Sequence, residues 1–276
     1  MQKNLSRRTF VTAVPSICAA SLLIPERAKG EDQASGDQRS PVLDPHLLSQ
    51  DPKRVKETVA VSHGNLLRVR ELVEASPALA KATWDWGFGD WETALGAASH
   101  TGGREIAELL IAHGARPDIF TFAMFGQLDV VKAYVEANPG IQCTHGPHGF
   151  TLLHHARKGG DRALPVVEYL KTLGDADIGY TSLPLSEEEK KVYMGVYSFG
   201  PGSENSVEVG VSRDGSLRIK RGTDGTPRRL FYQGKNEFHP AGAPAVRIRF
   251  NVKNDRASTL TVSDQEPILT ARRETS

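Results

Sequence analysis

Four histidines, His145, His148, His154 and His155, fall within eleven residues. Imidazole is a common zinc ligand, and a structural zinc site needs four ligands in tetrahedral array. His145 and His148 sit in a Gly-Pro loop with no neighbouring cysteine pair or spaced carboxylate to close such a site. No metal and no cofactor is therefore expected. Nucleophilic catalysis has less support still. The chain has neither a G-x-S-x-G nor an S-x-x-K element, and nothing near Cys143 would activate a thiolate. The chain is expected not to be an enzyme.

A second group is aromatic. Trp84, Trp86 and Trp91 are all the tryptophans of the chain; they lie within eight residues, together with Phe88, and Asp85, Asp90 and Glu92 are interleaved. Such a cluster suits a hot spot for a protein or a platform for a sugar or peptide. It equally suits rings that only bury area at the end of a stack. Trp84, Trp86, Phe88, Trp91, Asp118 and His148 are the candidate partner contacts. Arg213, Arg218, Lys220, Arg221, Arg228 and Arg229 form a basic cluster. Arg218 and Lys220 share one strand face, so the cluster reads as a solvated side rather than a polyanion site.

The elements that must position these residues follow from period and punctuation. Length and composition, 276 residues with 39% hydrophobic and 24% charged, fit about two domains. The net charge of +1 lacks the basic footprint of a nucleic-acid binder. In TALGAASHTGGREIAELLIAHGARPD, residues 93–118, Thr93 is placed to N-cap a helix whose Ala94, Ala97 and Ala98 admit a close neighbour. Gly102-Gly103 stops that helix. Ile106, Leu109 and Leu110 then mark one apolar face, and Gly114 supplies a left-handed end.

This stretch resembles an ankyrin repeat, although Ala94 and Gly96 stand where Pro and His are usual. Comparable units align on turn glycines at 64, 126 and 160. Thr151-Leu152-Leu153-His154-His155-Ala156 keeps the initial motif nearly intact, and the resemblance gives His154 a structural role, bonding backbone in a neighbouring turn. The spacings of 38, 24 and 34 scatter around the ankyrin period of about 33. The expectation is an α-helical ankyrin domain over 51–180 with about four repeats, the aromatic stretch forming a finger on its concave side. A stack of this kind implies a binding scaffold.

After a linker at 181–191 the grammar changes to alternation. Val207–Val211 and Leu217–Lys220 flank Arg213-Asp214-Gly215, a hairpin signal. Further short runs at 230–232, 237–239, 246–250, 259–262 and 268–272 bring the count to about eight strands, a small antiparallel barrel or sandwich over 192–276. Tyr193-x-Gly195-x-Tyr197, the Asp-Gly hairpin, Phe238 and Ala271-Arg272 resemble a lipocalin-like barrel. The fold class is thus α + β in two domains.

The first thirty residues hold five basic side chains against one acidic and then an apolar run, the order of an export signal. Ser6-Arg7-Arg8-Thr9-Phe10 resembles the twin-arginine signal. Ala28 and Gly30 place cleavage after residue 30, with 31–50 as a flexible lead-in. Loss of this segment removes Cys18 and leaves Cys143 with no internal disulfide partner. The resulting expectation is a periplasmic or secreted monomer with no stable membrane insertion. Its ankyrin part would bind another protein of the cell envelope. The alternative is a small molecule or peptide held by the barrel, with the repeats positioning it.

Overall fold

The computed structural model describes residues 49–223 and 225–274. The expected export signal, its expected cleavage point and nearly all of the 31–50 lead-in lie outside the described residues.

Short helices follow one another in pairs. These are α1 (Pro52–Val61) with α2 (Leu66–Ala75), α3 (Ala94–Thr101) with α4 (Arg104–Ala112), α5 (Ile119–Phe125) with α6 (Leu128–Ala137), and α7 (Leu152–Lys158) with α8 (Leu164–Leu173). The first helix of every pair begins at a side-chain cap. Asp51, Thr93, Asp118 and Thr151 each accept a backbone N–H two or three residues on. First helices pack on first helices, and α2 and α6 on α4 and α8. Small residues allow this approach: Ala94, Ala97 and Ala98 are fully buried. Gly102 ends α3 at φ 84°, and a Cβ there would lie 2.5 Å from the Lys158 carbonyl oxygen. Glycine is required at that contact on both counts.

Between α2 and α3 the aromatic stretch forms a two-stranded antiparallel ribbon, β1 (Thr83–Asp85) and β2 (Trp91–Thr93). Its tip turns through Gly87, Phe88 and Gly89, all at positive φ. The aromatic residues are divided. Trp84 and Trp86 pack on the first helical core, Phe88 packs on the barrel core, and Trp91 is 63% exposed.

The second region opens with a helix where a plain linker is expected. Helix α9 (Glu187–Tyr193) starts from a reciprocal Ser186/Glu189 capping box. Eight strands follow: β3 (Gly195–Ser198), β4 (Ser206–Val211), β5 (Leu217–Arg221), β6 (Arg228–Gly234), β7 (Glu237–Pro240), β8 (Arg247–Lys253), β9 (Arg256–Asp264) and β10 (Glu266–Arg273). Each pairs antiparallel with the next, and β10 returns to β3 to close a barrel. The fold is therefore α + β, helices first and a closed eight-stranded barrel second.

Tyr193, Tyr197, Phe238 and Phe250 are buried together inside the barrel, with ring centres 4.9–5.7 Å apart. The phenol of Tyr197 donates to the Tyr193 carbonyl at 2.7 Å, and that of Tyr193 to Asn236 at 2.8 Å. Buried hydroxyls thus find partners within the aromatic packing. The segment leading from the helices lies along β6, where Leu183 N–H donates to the Tyr232 carbonyl and Tyr232 N–H to Ser182 Oγ. Among the described residues no helix is long and apolar enough to cross a membrane.

Candidate metal centre

The ribbon alternates as a strand must, so Trp91 and Thr93 face out and Glu92 faces in. Glu92 is 1% exposed, and a buried carboxylate needs partners. Its Oε2 accepts the Trp86 indole N–H at 2.6 Å, and its Oε1 lies 2.8 Å from His100 Nε2 and 3.3 Å from His148 Nε2. His63 Nε2 stands 3.5 Å from Oε2. One ligand atom from each of His63, Glu92, His100 and His148 falls within 4.8 Å of all the others.

Each imidazole arrives from a different element. His63 follows α1, and its Nδ1 lies 3.0 Å from the Ala60 carbonyl and 3.2 Å from that of Val59. His100 occupies the last turn of α3, where Phe150 stacks on it at 4.9 Å. His148 sits in the Pro147–Gly149 turn at φ 60°, an uncommon conformation for a non-glycine residue. Asp90 holds it at two points. Oδ1 accepts the His148 backbone N–H at 2.9 Å, and Oδ2 meets Nδ1 at 2.6 Å. With Nδ1 engaged on an oxygen in both His63 and His148, Nε2 is the nitrogen left facing the cluster.

Electrostatics follow the geometry. Burial opposes ionisation of Glu92, but hydrogen bonds from His100 and His148 outweigh it and bring the carboxyl down to about 2. Burial likewise opposes protonation of His148, yet its bonds to Asp90 and Glu92 raise it to about 9. His100 moves the other way, lowered chiefly by burial. These shifts pair the Glu92 carboxylate with the His148 imidazolium.

The barrel reaches this centre at Arg228 and at Gly242, where a Cβ would lie 2.0 Å from Asp90 Oδ1. Arg228 opens β6 and is 6% exposed, with Nε 3.1 Å from Asp90 Oδ2. The expectation of a solvated basic face holds at Arg218 and Lys220, which pair with Asp214 and Glu208. It fails at Arg228, because the buried Asp90 draws the guanidinium inward.

The four neighbouring histidines do not form a site of their own. Only His148 joins the cluster. His145 stacks on Tyr180, His154 Nε2 lies 3.2 Å from the His100 carbonyl, and His155 Nδ1 lies 2.8 Å from Ser99 Oγ. Burial lowers His155 to about 3, which keeps it neutral. Among the candidate partner contacts, Trp86 and His148 meet at the cluster. Trp84 and Phe88 are packing residues, Asp118 is exposed and caps α5, and Trp91 is mainly exposed. Sequence reasoning missed His63 and His100 and took Asp90 and Glu92 only as acids among aromatics. A signal existed in Asp90-Trp91-Glu92, where alternation on a short strand places an acid inward. The three histidines that meet it are far apart in the chain.

Nothing matched this chain in a scan against protein-family models or in a search of curated proteins.

Proposed function

We propose that this chain binds a divalent first-row transition metal, zinc in the first instance, through His63, Glu92, His100 and His148. The observation that carries the reading is the convergence of three Nε2 atoms on one buried carboxylate, with Nδ1 of His63 and His148 held by oxygen acceptors. Metal-bound histidines are oriented in this way. Three imidazoles and a carboxylate suit zinc, and tetrahedral ligands at about 2.0–2.2 Å would stand about 3.3 Å apart. The Nε2 atoms of His100 and His148 lie 2.8 and 3.3 Å from Glu92 Oε1, and the four candidate ligand atoms lie within 4.8 Å of one another.

The centre is carried on an exported, ankyrin-type scaffold. Paired short helices capped at Thr93 and Thr151 and stopped at Gly102 and Gly126 support the repeat assignment, and Ser6–Phe10 supports twin-arginine export to the periplasm. The open indole of Trp91 favours a further role in contacting an envelope protein. The rings filling the barrel weigh against a ligand held in its lumen.

The test uses the full chain stripped by a chelator. Calorimetric titration with Zn²⁺ is expected to give one ion per chain with proton release. His100→Ala should lower affinity more than about 100-fold, beyond the 10–100-fold typical of losing an outer-shell partner. No saturable binding, or equal affinity in His100→Ala, sinks the reading.

A further inference from the structure

This inference rests on the metal reading above. Around a tetrahedral ion with nitrogen ligands at about 2.0–2.1 Å, imidazole ring centres stand about 5 Å apart. His63 and His100 are 5.0 Å apart, and His100 and His148 are 5.2 Å apart. His63 and His148 depart from this, at 6.2 Å with their rings only 19° from parallel. The wider angle falls between the two ligands that reach solvent. The side chains of His63 and His148 are 33% and 18% exposed, against 7% for His100 and none for Glu92. Glu92 closes the inner side of the ligand set, and the outer side faces water.

Charge adds a second constraint. With the imidazoles neutral, Asp90 and Glu92 balance a divalent ion, and Asp85 is a further carboxylate that acts on Arg228. Arg228 Nε and Nη2 make no hydrogen bond although the residue is 94% buried, since its contact with Asp90 has ion-pair distance without hydrogen-bond geometry. Buried guanidinium N–H groups that lack an acceptor favour an anion.

We propose that the bound ion, held by its four protein ligands, takes a fifth and exchangeable ligand between His63 and His148, a small monoanion of the carboxylate class. A strictly four-coordinate site would be structural; expansion to five lets the ion polarise or present a ligand.

Co²⁺ replaces zinc in the full-length protein, and sodium azide is titrated as the spectroscopic probe with acetate as competitor. The expected result is saturable perturbation of the cobalt absorption by azide, reversed by acetate. At saturating cobalt, Arg228→Met should weaken azide on the order of tenfold, and Arg228→Lys should restore it, because the effect is one of charge. Cobalt bands indifferent to both anions overturn the open position while leaving the metal site intact. Absence of cobalt bands removes both readings together. Should Arg228→Met not fold, the wild-type titration and Arg228→Lys still decide.

Discussion

In the helical region the buried polar side chains include Thr58, Ser62, Asp90, Glu92, Ser99, His100 and His155, whereas the barrel contributes Arg228 and His239. The helical stack is built from alanines and valines that pack closely and leave polar atoms to be matched one against another. The barrel is filled by aromatic and branched side chains whose few hydroxyls close on nearby acceptors. Chemistry follows the first kind of core, because a buried carboxylate among imidazoles can exchange protons or a metal. The second kind stabilises and holds its shape. Arg228 is one place where the two meet: it is a barrel residue turned toward the acids of the ribbon.

The largest expected difference between the regions comes from emptying the barrel. Phe238 is fully buried and touches Tyr193, Tyr232 and Phe250 edgewise or at a tilt. Phe238→Ala should cost about 3–5 kcal/mol, measured by denaturant unfolding. Zinc affinity in the still-folded variant should match wild type. A large fall in affinity would mean that barrel packing itself shapes the metal centre, and the comparison would break.

Titration separates the regions by pH. Burial raises Tyr193 and Tyr197 from the ordinary 10.0 to about 12. Their neutral forms are favoured in the folded state, so this stabilisation is complete below pH 10 and is lost as pH rises toward 12. Glu92 has the opposite sign. Its carboxyl is down at about 2 against an ordinary 4.5, so its contribution is present above pH 4.5 and disappears as pH falls through 2. Acid unfolding of the metal-free chain should therefore begin in the helices, followed by helical circular dichroism. Alkaline unfolding should begin in the barrel, followed by tyrosine absorbance. Simultaneous loss of both signals at either extreme would show one cooperative unit.

Much of the fold was legible in the sequence because local rules govern it. Thr93 caps a helix, Gly102 ends it, and the Arg213–Gly215 turn joins β4 to β5. The antiparallel strands from 206 to 273 lie close to where alternation puts them. The site was not legible, for a physical reason. His63 and His100 end two different helices, Glu92 lies on a three-residue strand, and His148 lies in a turn, so no spacing rule links them. Proximity in sequence instead suggested the group from His145 to His155, whose other members bond to backbone, to Ser99 or to a ring. Arg228 was misread for a related reason, since strand alternation cannot reveal an acid arriving from another region.

The smallest expected effect asks how far the local frame reaches into the site. Thr93 is exposed, so its side chain contributes little packing; its role is to accept the Gly96 N–H at 2.8 Å at the start of α3. Thr93→Ala should cost about 1 kcal/mol, the usual value for a lost N-cap, read as a shift in the denaturation midpoint. His100 lies about two turns further along the same helix, past the region that a missing cap frays. Glu92, although adjacent to Thr93, is held by Trp86 and the strand pairing rather than by the cap. Zinc affinity should therefore stay within about threefold of wild type while stability falls, as expected for sites without shared partners. A loss of affinity greater than tenfold would mean that the first turn of α3 sets the position of Glu92, and that the helix and the ribbon act as one rigid frame for the metal.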